Sequence, residues 1–295
     1  VELKFSNGGD TRTLVFSGDL GYRDAPVMNS PYRVNHADAV LMESTYGDRL
    51  HRQFDETIKE LTEVFETARA NQGNILIPAF TVGRTQDLLY LMAEHYDEWR
   101  LDKWRVFLDS PMGIEATSLY TRFINEHDAE MRQFFAEQEN PIFPPTLQVT
   151  PSSAESRKLN AMQGPAIIIS ASGMATGGRI LHHLKLRLPD KKNTVLFTGY
   201  QAVGTKGRRL VEGEEEVKIH GQWIPVKAHI ARISGLSAHA DAAELLVWLG
   251  RREREPEKVV LIHGEYDAQQ AFAERLHDEF GWESSIPEIG DTIQV

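Results

Sequence analysis

The order of hydrophobic and polar positions divides the chain into short apolar runs and longer amphipathic stretches. The apolar runs predict strands over residues 13–19, 39–45, 74–79, 105–110, 166–170, 194–199 and 259–264. Apolar residues at helical spacing predict helices over residues 54–71, 86–99, 113–126, 178–188, 206–212, 241–250 and 267–279. Strands that alternate with helices in this way are typical of βαβ units, so we predict an α/β fold with a mainly parallel sheet.

The pattern changes after Gly213. Residues 215–234 form two alternating stretches on either side of a turn at residues 220–223, which predicts an antiparallel pair of strands. No repeat or long linker is visible in the sequence. We therefore predict that residues 1–46 and 206–295 are two parts of one domain, and that residues 47–205 form a second domain inserted between them.

Composition narrows the class of protein. Hydrophobic residues make up 41% and charged residues 25% of the 295 residues, which is ordinary for a globular protein. No apolar run is long enough to span a membrane, and the first residues do not resemble a secretory signal. Cysteine is absent, which excludes disulfides and thiolate metal sites and fits a reducing cytoplasm. The net charge of −11 weighs against nucleic-acid binding, unless the local field at a binding cleft differs from the average.

Polar residues stand where several apolar strands end. Asp19, Glu43 and His263 each follow such a run, and His239 lies in the segment GLSAHAD. The carboxyl ends of parallel strands converge on one edge of a sheet, so these four residues could share a site. Any one of them alone is more simply explained as a turn residue or a helix cap. Together, each close to a small Gly or Ser residue, they favour a functional site.

A family resemblance rests on seven separated motifs that span nearly the whole chain. They are, in order, TLVFSGDLG, LMESTYGDR, IPAFTVGRTQDLL, ISASGMATGGRILHHL, VLFTGYQAVGTKGRRL, ISGLSAHAD and VVLIHGE. The chain resembles the β-CASP family of RNA-processing nucleases, which includes ribonuclease J and the endonuclease subunit that cleaves eukaryotic messenger RNA precursors. The resemblance implies part of a metallo-β-lactamase αββα sandwich with an inserted β-CASP domain, and a two-zinc site between the two domains.

The same resemblance assigns roles to the four residues at the strand ends. Asp19 corresponds to the aspartate that bridges two zinc ions, and His263 corresponds to a late histidine ligand. His239 would be the general acid that protonates the leaving sugar oxygen. Glu43 would orient the His239 imidazole and favour the charged form of that imidazole. The two zinc ions of the complete protein would supply the nucleophile and neutralise the charge of the phosphoryl oxygens.

The sequence departs from the family in one respect. The chief metal motif of the family, His-x-His-x-Asp-His, is absent from this sequence. We therefore expect the chain to be the larger, C-terminal part of a longer protein. Asp19 and His263 are too few ligands for two zinc ions, since a catalytic zinc usually takes three protein ligands. By itself the chain is expected neither to hold a normal two-zinc centre nor to cleave RNA.

Two glycine-rich segments are candidates for holding the RNA backbone. Each places small residues between a strand and a helix, where a phosphate can approach backbone N–H groups. Most such turns only change the direction of the chain, so the signal gains weight from the family resemblance. The candidate contacts are Ser172, Gly173, Thr176, Gly177 and Arg179 in the first segment, Gly204, Thr205 and Lys206 in the second, and Arg84 at a third helix start. For His182, His183 and Lys185 we favour a solvated or partly packed helix face.

The sequence leaves other functions open. A non-catalytic RNA-binding or scaffold subunit is disfavoured because His239 and His263 are retained. A small-molecule metallohydrolase is disfavoured by the inserted block, which would shape the cleft for a polymer. A DNA nuclease is a near neighbour, but in the family a histidine at the position of His263 goes with RNA substrates. The sequence does not separate endonuclease from exonuclease action, and it is compatible with a homodimer.

Overall fold

The computed structural model describes residues 1–21, 23, 27–137, 143–162, 164–233, 235–250 and 254–294, with only the backbone described at Asn7. The chain forms two compact units. Unit 1 comprises Val1–Ala25, Asn29–His51 and Ala238–Val295. Unit 2 comprises Pro26–Met28 and Arg52–Ser237, so in sequence it is inserted into unit 1.

The strands and helices are numbered in chain order. The strands are β1 (Glu2–Asn7), β2 (Asp10–Phe16), β3 (Ala39–Glu43), β4 (Ile75–Pro78), β5 (Arg105–Leu108), β6 (Leu147–Val149), β7 (Ala166–Ser170), β8 (Thr194–Phe197), β9 (Glu216–Ile219), β10 (Gln222–Pro225), β11 (His229–Arg232), β12 (Lys258–Ile262) and β13 (Ser284–Ser285). The α-helices are α1 (Phe54–Ala70), α2 (Arg84–Glu94), α3 (Pro111–Arg122), α4 (Ala129–Glu137), α5 (Ser153–Lys158), α6 (Ile180–Arg187), α7 (Lys206–Val211), α8 (Ala242–Gly250) and α9 (Tyr266–Phe280). Among the described residues, no helix is both long and apolar enough to cross a membrane.

Unit 1 is built on a five-stranded sheet with the strand order β1-β2-β3-β12-β13. β1 and β2 form an antiparallel hairpin, whereas β2, β3, β12 and β13 run parallel to one another. Val40, Leu261, Trp248 and Phe272 belong to one buried cluster, which packs α8 and α9 against the sheet. The parallel part of the sheet is what aligns the carboxyl ends of β2, β3 and β12.

Unit 2 is built on a six-stranded parallel sheet with the order β11-β8-β4-β7-β5-β6. Successive side chains of a strand point to opposite faces, and both faces are covered here. Ile75 and Ile77 of β4 lie in one core cluster, while Leu76 between them lies in the other. This two-sided burial explains why the central strands read as unbroken apolar runs in the sequence.

Residues 206–237 belong to unit 2. β9 and β10 form the expected antiparallel pair, and β11 extends the six-stranded sheet by pairing with β8. Val217 and Ile219 of β9 are fully buried in a core cluster of the same unit. The predicted division at residue 205 therefore does not coincide with the division between the compact units, which falls after Ser237.

Candidate metal site and phosphate-binding loops

The parallel strands of unit 1 place three of the four candidate residues at one edge of its sheet. In the ladder Phe16 faces Leu41, and Glu43 faces Ile262, so the carboxyl ends of β2, β3 and β12 lie side by side. Asp19 follows β2, Glu43 ends β3, and His263 follows β12. The register of three strands therefore groups residues that are far apart in the sequence.

His239 comes to this edge from the segment that precedes α8. Its ring Nδ1 lies 2.7 Å from Oε2 of Glu43, and the Glu43 carboxylate is 1% exposed. The backbone N–H of Leu20 and the hydroxyl of Thr45, at 2.8 Å, also donate to this carboxylate. The backbone carbonyl of His239 lies 2.9 Å from Nε2 of His51. The imidazole is thus held from its ring and from its backbone.

Asp19 and His263 form a second, more open pair. Nδ1 of His263 lies 2.8 Å from Oδ1 of Asp19, and both side chains are more than half exposed. The rings of His263 and His239 are 5.4 Å apart between centroids and nearly perpendicular. The Thr45 hydroxyl also reaches the backbone carbonyl of His263, at 3.1 Å. Thr45 thus contacts both pairs. It lies within the motif LMESTYGDR, but the sequence patterns did not identify it as a site residue.

The donor atoms of this group suit a zinc ion. Asp19, Glu43 and His239 each offer one ligand atom, and these atoms lie within 4.8 Å of one another. Carboxylate oxygen and imidazole nitrogen are two of the donor types that zinc prefers, and the chain has no cysteine. His263 lies outside this group of three, but its Nδ1 is 2.8 Å from Oδ1 of Asp19 and both side chains are exposed, so a metal could also reach this pair. The structure brings the four predicted residues together, while their individual roles remain predictions.

Ser172 organises the first glycine-rich loop from within. Its hydroxyl oxygen accepts hydrogen bonds from the backbone N–H groups of Thr176, at 3.0 Å, and Gly177, at 3.2 Å. Gly173 is buried, and a methyl group added there would meet the Phe80 ring at 2.7 Å. Thr176 is exposed, and the space beside Gly177 is open. The accessible part of this loop is therefore Thr176 and Gly177, while Ser172 and Gly173 shape it.

Gln201 connects the first loop to the second. Its side-chain amide donates to the backbone carbonyl of Gly173, at 3.1 Å, and the N–H of Gly207 donates to the carbonyl of Met174, at 3.0 Å. Thr205 caps α7 by accepting from the N–H of Arg208, at 3.2 Å. Gln201 is buried, and the sequence offered no pattern that separates it from an ordinary loop residue. The two loops are thus one hydrogen-bonded structure.

Gly207→Ala is expected to destabilise the protein, although alanine is favoured over glycine in a helix by about 1 kcal/mol. The new methyl group would lie 1.8 Å from Oε1 of Gln201 and 3.0 Å from the carbonyl of Met174. Gln201 would have to abandon its bond to Gly173, and overpacking of this kind costs about 1–3 kcal/mol. The measurement is the thermal unfolding midpoint. Gly199→Ala is the control, because its methyl group would meet no atom within 4 Å; equal midpoints for both variants would contradict the expectation.

Arg179 is held by protein groups rather than presented to a ligand. Its guanidinium donates to Oδ1 of Asp109, at 2.9 Å, and to the carbonyls of Thr150 and Pro151. The positive charge that Arg179 was expected to offer to RNA is therefore largely neutralised by Asp109. Gly204 and Lys206, in contrast, are at least partly exposed.

Arg84 is also bound within the protein. The residue is 7% exposed, and its guanidinium lies 3.1 Å from the carboxylate of Asp87. Burial raises the pKa of Asp87 to about 6, and the positive charge of Arg84 opposes this shift. The position at the start of α2 agrees with the sequence prediction, but a contact with RNA would compete with this ion pair.

His183 differs from the solvated or partly packed helix face expected for it. The residue is fully buried, and its Nε2 lies 2.6 Å from Oδ2 of Asp109, which is also fully buried. The hydroxyls of Thr150 and Ser156, each at 2.7 Å, donate to the same carboxylate. Asp109 follows β5 and Thr150 follows β6, so this network holds neighbouring strand ends together. The HH pair in the sequence could not reveal it, because the partner lies 74 residues away.

Comparison with known proteins agrees with this architecture. Residues 85–210 match the family model of the Beta-Casp domain, and residues 223–287 match the Zn-dependent metallo-hydrolase RNA specificity domain. A ribonuclease of Thermus thermophilus is 40% identical over 287 residues, which are 97% of this chain and 65% of that protein. Transcription termination factor FttA of Methanocaldococcus jannaschii is 32% identical over 96% of this chain and 46% of that protein.

These matches define first the class and then the family. The parallel sheets, the inserted unit and the His and Asp donors at a strand edge are those of a metallo-β-lactamase fold with an inserted domain. The chain belongs to the β-CASP family of that superfamily. The description of the second matched model makes a metal ion part of the family's chemistry. The chain spans less than two thirds of the Thermus relative and about half of the FttA relative.

Proposed function

We propose that the whole protein is a zinc-dependent ribonuclease that hydrolyses phosphodiester bonds of RNA. The observation that carries this proposal is the pairing of His239 with buried Glu43, 2.7 Å apart, beside the exposed Asp19–His263 pair. A general acid and a metal-accessible pair at one sheet edge are the two parts that this hydrolysis needs. The RNA substrate is supported by the ribonuclease relative and by the RNA specificity model.

We assign the metal ligands within this chain to Asp19 and His263. Zinc, two ions in the whole protein, would supply the nucleophile and the Lewis acid of the reaction. The Asp19 carboxylate has two oxygens, so it can serve two cations and offset their repulsion. The backbone carbonyl of His263 accepts a hydrogen bond from the backbone N–H of Ser44, at 3.2 Å, while its ring is exposed at the site.

We assign the general acid to His239. With Nδ1 directed at the Glu43 carboxylate, proton transfer to a leaving sugar oxygen would use Nε2. The carboxylate fixes the tautomer and the orientation of the ring. Because Leu20 and Thr45 hold Glu43 in place, the acid is positioned before any substrate binds.

We propose that the two connected loops of unit 2 hold the RNA backbone. Thr176, Gly177, Gly204 and Lys206 offer the accessible surface, while Thr205 caps the helix behind it. Phe80 is 47% exposed and packs beside Gly173, so its ring could stack on a base. For the protein as a whole, a cytoplasmic location and a homodimer are consistent with this proposal, and sedimentation would measure the oligomeric state.

The metal assignment predicts the effect of Asp19→Asn in the whole protein. An amide carries no negative charge and bridges two cations poorly, so bound zinc should fall by about one ion or more and RNA cleavage should drop at least 10²-fold, as for loss of a principal catalytic group. Zinc is measured by elemental analysis, and cleavage with a labelled RNA.

The matched control for this test is Asp10→Asn. Asp10 is an exposed carboxylate in the β1–β2 hairpin of the same unit and lies outside the site. This variant should keep the zinc content and the cleavage rate of the wild type. Normal zinc and normal cleavage in Asp19→Asn would remove Asp19 from the metal site.

A further inference from the structure

The tip of the β9–β10 hairpin brings a second histidine against α6. The ring of His220 lies 4.6 Å from the ring of His182, measured between centroids, with an interplanar angle of 41°. Both residues are exposed. His220 has a φ of +48°, the left-handed conformation of the turn. Contact between these two rings was not expected from the sequence, which placed His182 on a solvated or partly packed helix face and His220 in the turn of a predicted strand pair.

The charge around this pair is of one sign. Partial burial lowers the pKa of His220, and the positive charges of His182, Lys185 and Lys206 lower it further. These groups lie on α6 and at the start of α7, the two elements that face the hairpin tip, and no carboxylate is among the groups that shift this pKa. By contrast, the rings of His95, His183, His239, His263 and His277 each lie within 4 Å of a carboxylate. The charged groups that act on His220 are all cationic, and a surface of this kind attracts anions.

The position of this surface fits a ligand contact. His182 lies in the first turn of α6, which follows β7, and Lys206 is the first residue of α7, which follows β8. Ligands of parallel α/β sheets bind at the edge formed by the carboxyl ends of the strands. Lys206 also adjoins Thr205 and Gly204 of the second loop. The surface therefore continues the accessible face of the two loops.

We propose that His182, Lys185, Lys206 and His220 form a pH-dependent binding surface for the phosphate backbone of RNA. The proposal rests on the proposed ribonuclease function and extends its substrate contacts beyond the loops. A phosphate that accepts hydrogen bonds from the exposed edges of both rings favours their protonated forms, so RNA binding takes up protons. The surface carries more positive charge at pH 6 than at pH 8, so RNA affinity rises as the pH falls from 8 to 6.

The test measures RNA binding by the whole protein. Fluorescence anisotropy of a labelled single-stranded RNA is recorded at pH 6 and pH 8, each over a range of salt concentrations. The double variant His182→Gln/His220→Asn is compared with wild type; asparagine suits the positive φ of position 220 better than most residues. At pH 6 the variant should bind roughly 3- to 30-fold more weakly, and its salt slope should fall by about one to two, as for one or two lost phosphate contacts. At pH 8 the difference should shrink.

The control variant for this test is His229→Gln. It removes an exposed histidine of the same unit at the start of β11 and should leave RNA binding unchanged at both pH values. If the double variant keeps the pH dependence and the salt slope of wild type, while wild type binds and cleaves RNA, this inference is overturned and the proposed function stands. If wild type binds no RNA at either pH, the proposed function is overturned and this inference with it.

Discussion

His239→Ala is expected to lower RNA cleavage by the whole protein by about 10²- to 10⁴-fold, the usual contribution of a general acid. The reason is geometric: the Glu43 carboxylate holds Nδ1 of His239 at 2.7 Å, and His263 occupies the neighbouring exposed position. Alanine removes the proton donor without touching the Asp19–His263 pair. The variant should therefore retain the zinc content of wild type, and its RNA affinity should change little.

The experiment separates an acid from a ligand. His239 also belongs to a group of donors close enough to bind an ion, so zinc content is measured on the same sample as cleavage. His277→Ala is the control, because His277 is an exposed histidine of the same unit that pairs with Glu283. Loss of zinc together with loss of cleavage would make His239 a metal ligand. Unchanged cleavage would remove it from the reaction altogether.

Asp109→Asn is expected to destabilise unit 2 by about 3–5 kcal/mol, the usual cost of breaking a buried ion pair. The carboxylate is fully buried and accepts hydrogen bonds from Thr150, Ser156, Arg179 and His183. An amide turns one of its own N–H groups towards these hydrogen-bond donors and leaves the partly buried guanidinium of Arg179 without its counter-ion. Hydrogen exchange of β5, β6 and β7 in the whole protein measures the effect locally. Asp102→Asn, an exposed carboxylate beside Lys103, is the control and should change little.

The same network predicts how stability depends on pH. Burial disfavours ionised Asp109, but the hydrogen bonds from His183, Thr150 and Ser156 outweigh it and lower its pKa from 3.8 to about 2. A carboxyl with a lowered pKa adds stability that is fully present above pH 4, roughly 2 kcal/mol, and is lost as pH falls towards 2. Burial also lowers the pKa of His183, against the opposing effect of Asp109, so stability begins to fall below pH 6.5. Asp109→Asn should flatten the decline below pH 4; an unchanged profile would contradict this account.

Much of the fold could be predicted because strand and helix periods are local properties of the sequence. The central strands β4, β7 and β8 are apolar on both faces, so their short runs stand out from the amphipathic helices. Asp19, Glu43 and His263 could be grouped because parallel strand ends converge at one edge. The position of β11 in the sheet could not be predicted, because it depends on a pairing with β8 that is not local in the sequence.

The parts of the candidate site that sequence reasoning missed are those made by distant contacts. Gln201 resembles an ordinary loop residue until its amide is seen to reach Gly173. His183 was expected on a helix face, and Arg179 was expected to offer its charge to RNA. Both side chains instead bind Asp109, which lies 70 or more residues earlier in the sequence. His182 was expected on a solvated or partly packed helix face, and only the folded hairpin brings His220 to it. Short motifs mark where a site lies, while its internal support depends on tertiary structure.

The central claim is that this chain carries the general acid and part of the metal site of a ribonuclease. It is tested most directly by single-turnover cleavage of a labelled RNA by the whole protein, first stripped of metal with a chelator and then reloaded with zinc. The account predicts that the stripped protein does not cleave, that zinc restores cleavage in wild type, and that zinc binds to His239→Ala without restoring it. Cleavage by metal-free protein, or full recovery of cleavage in zinc-loaded His239→Ala, would contradict the account.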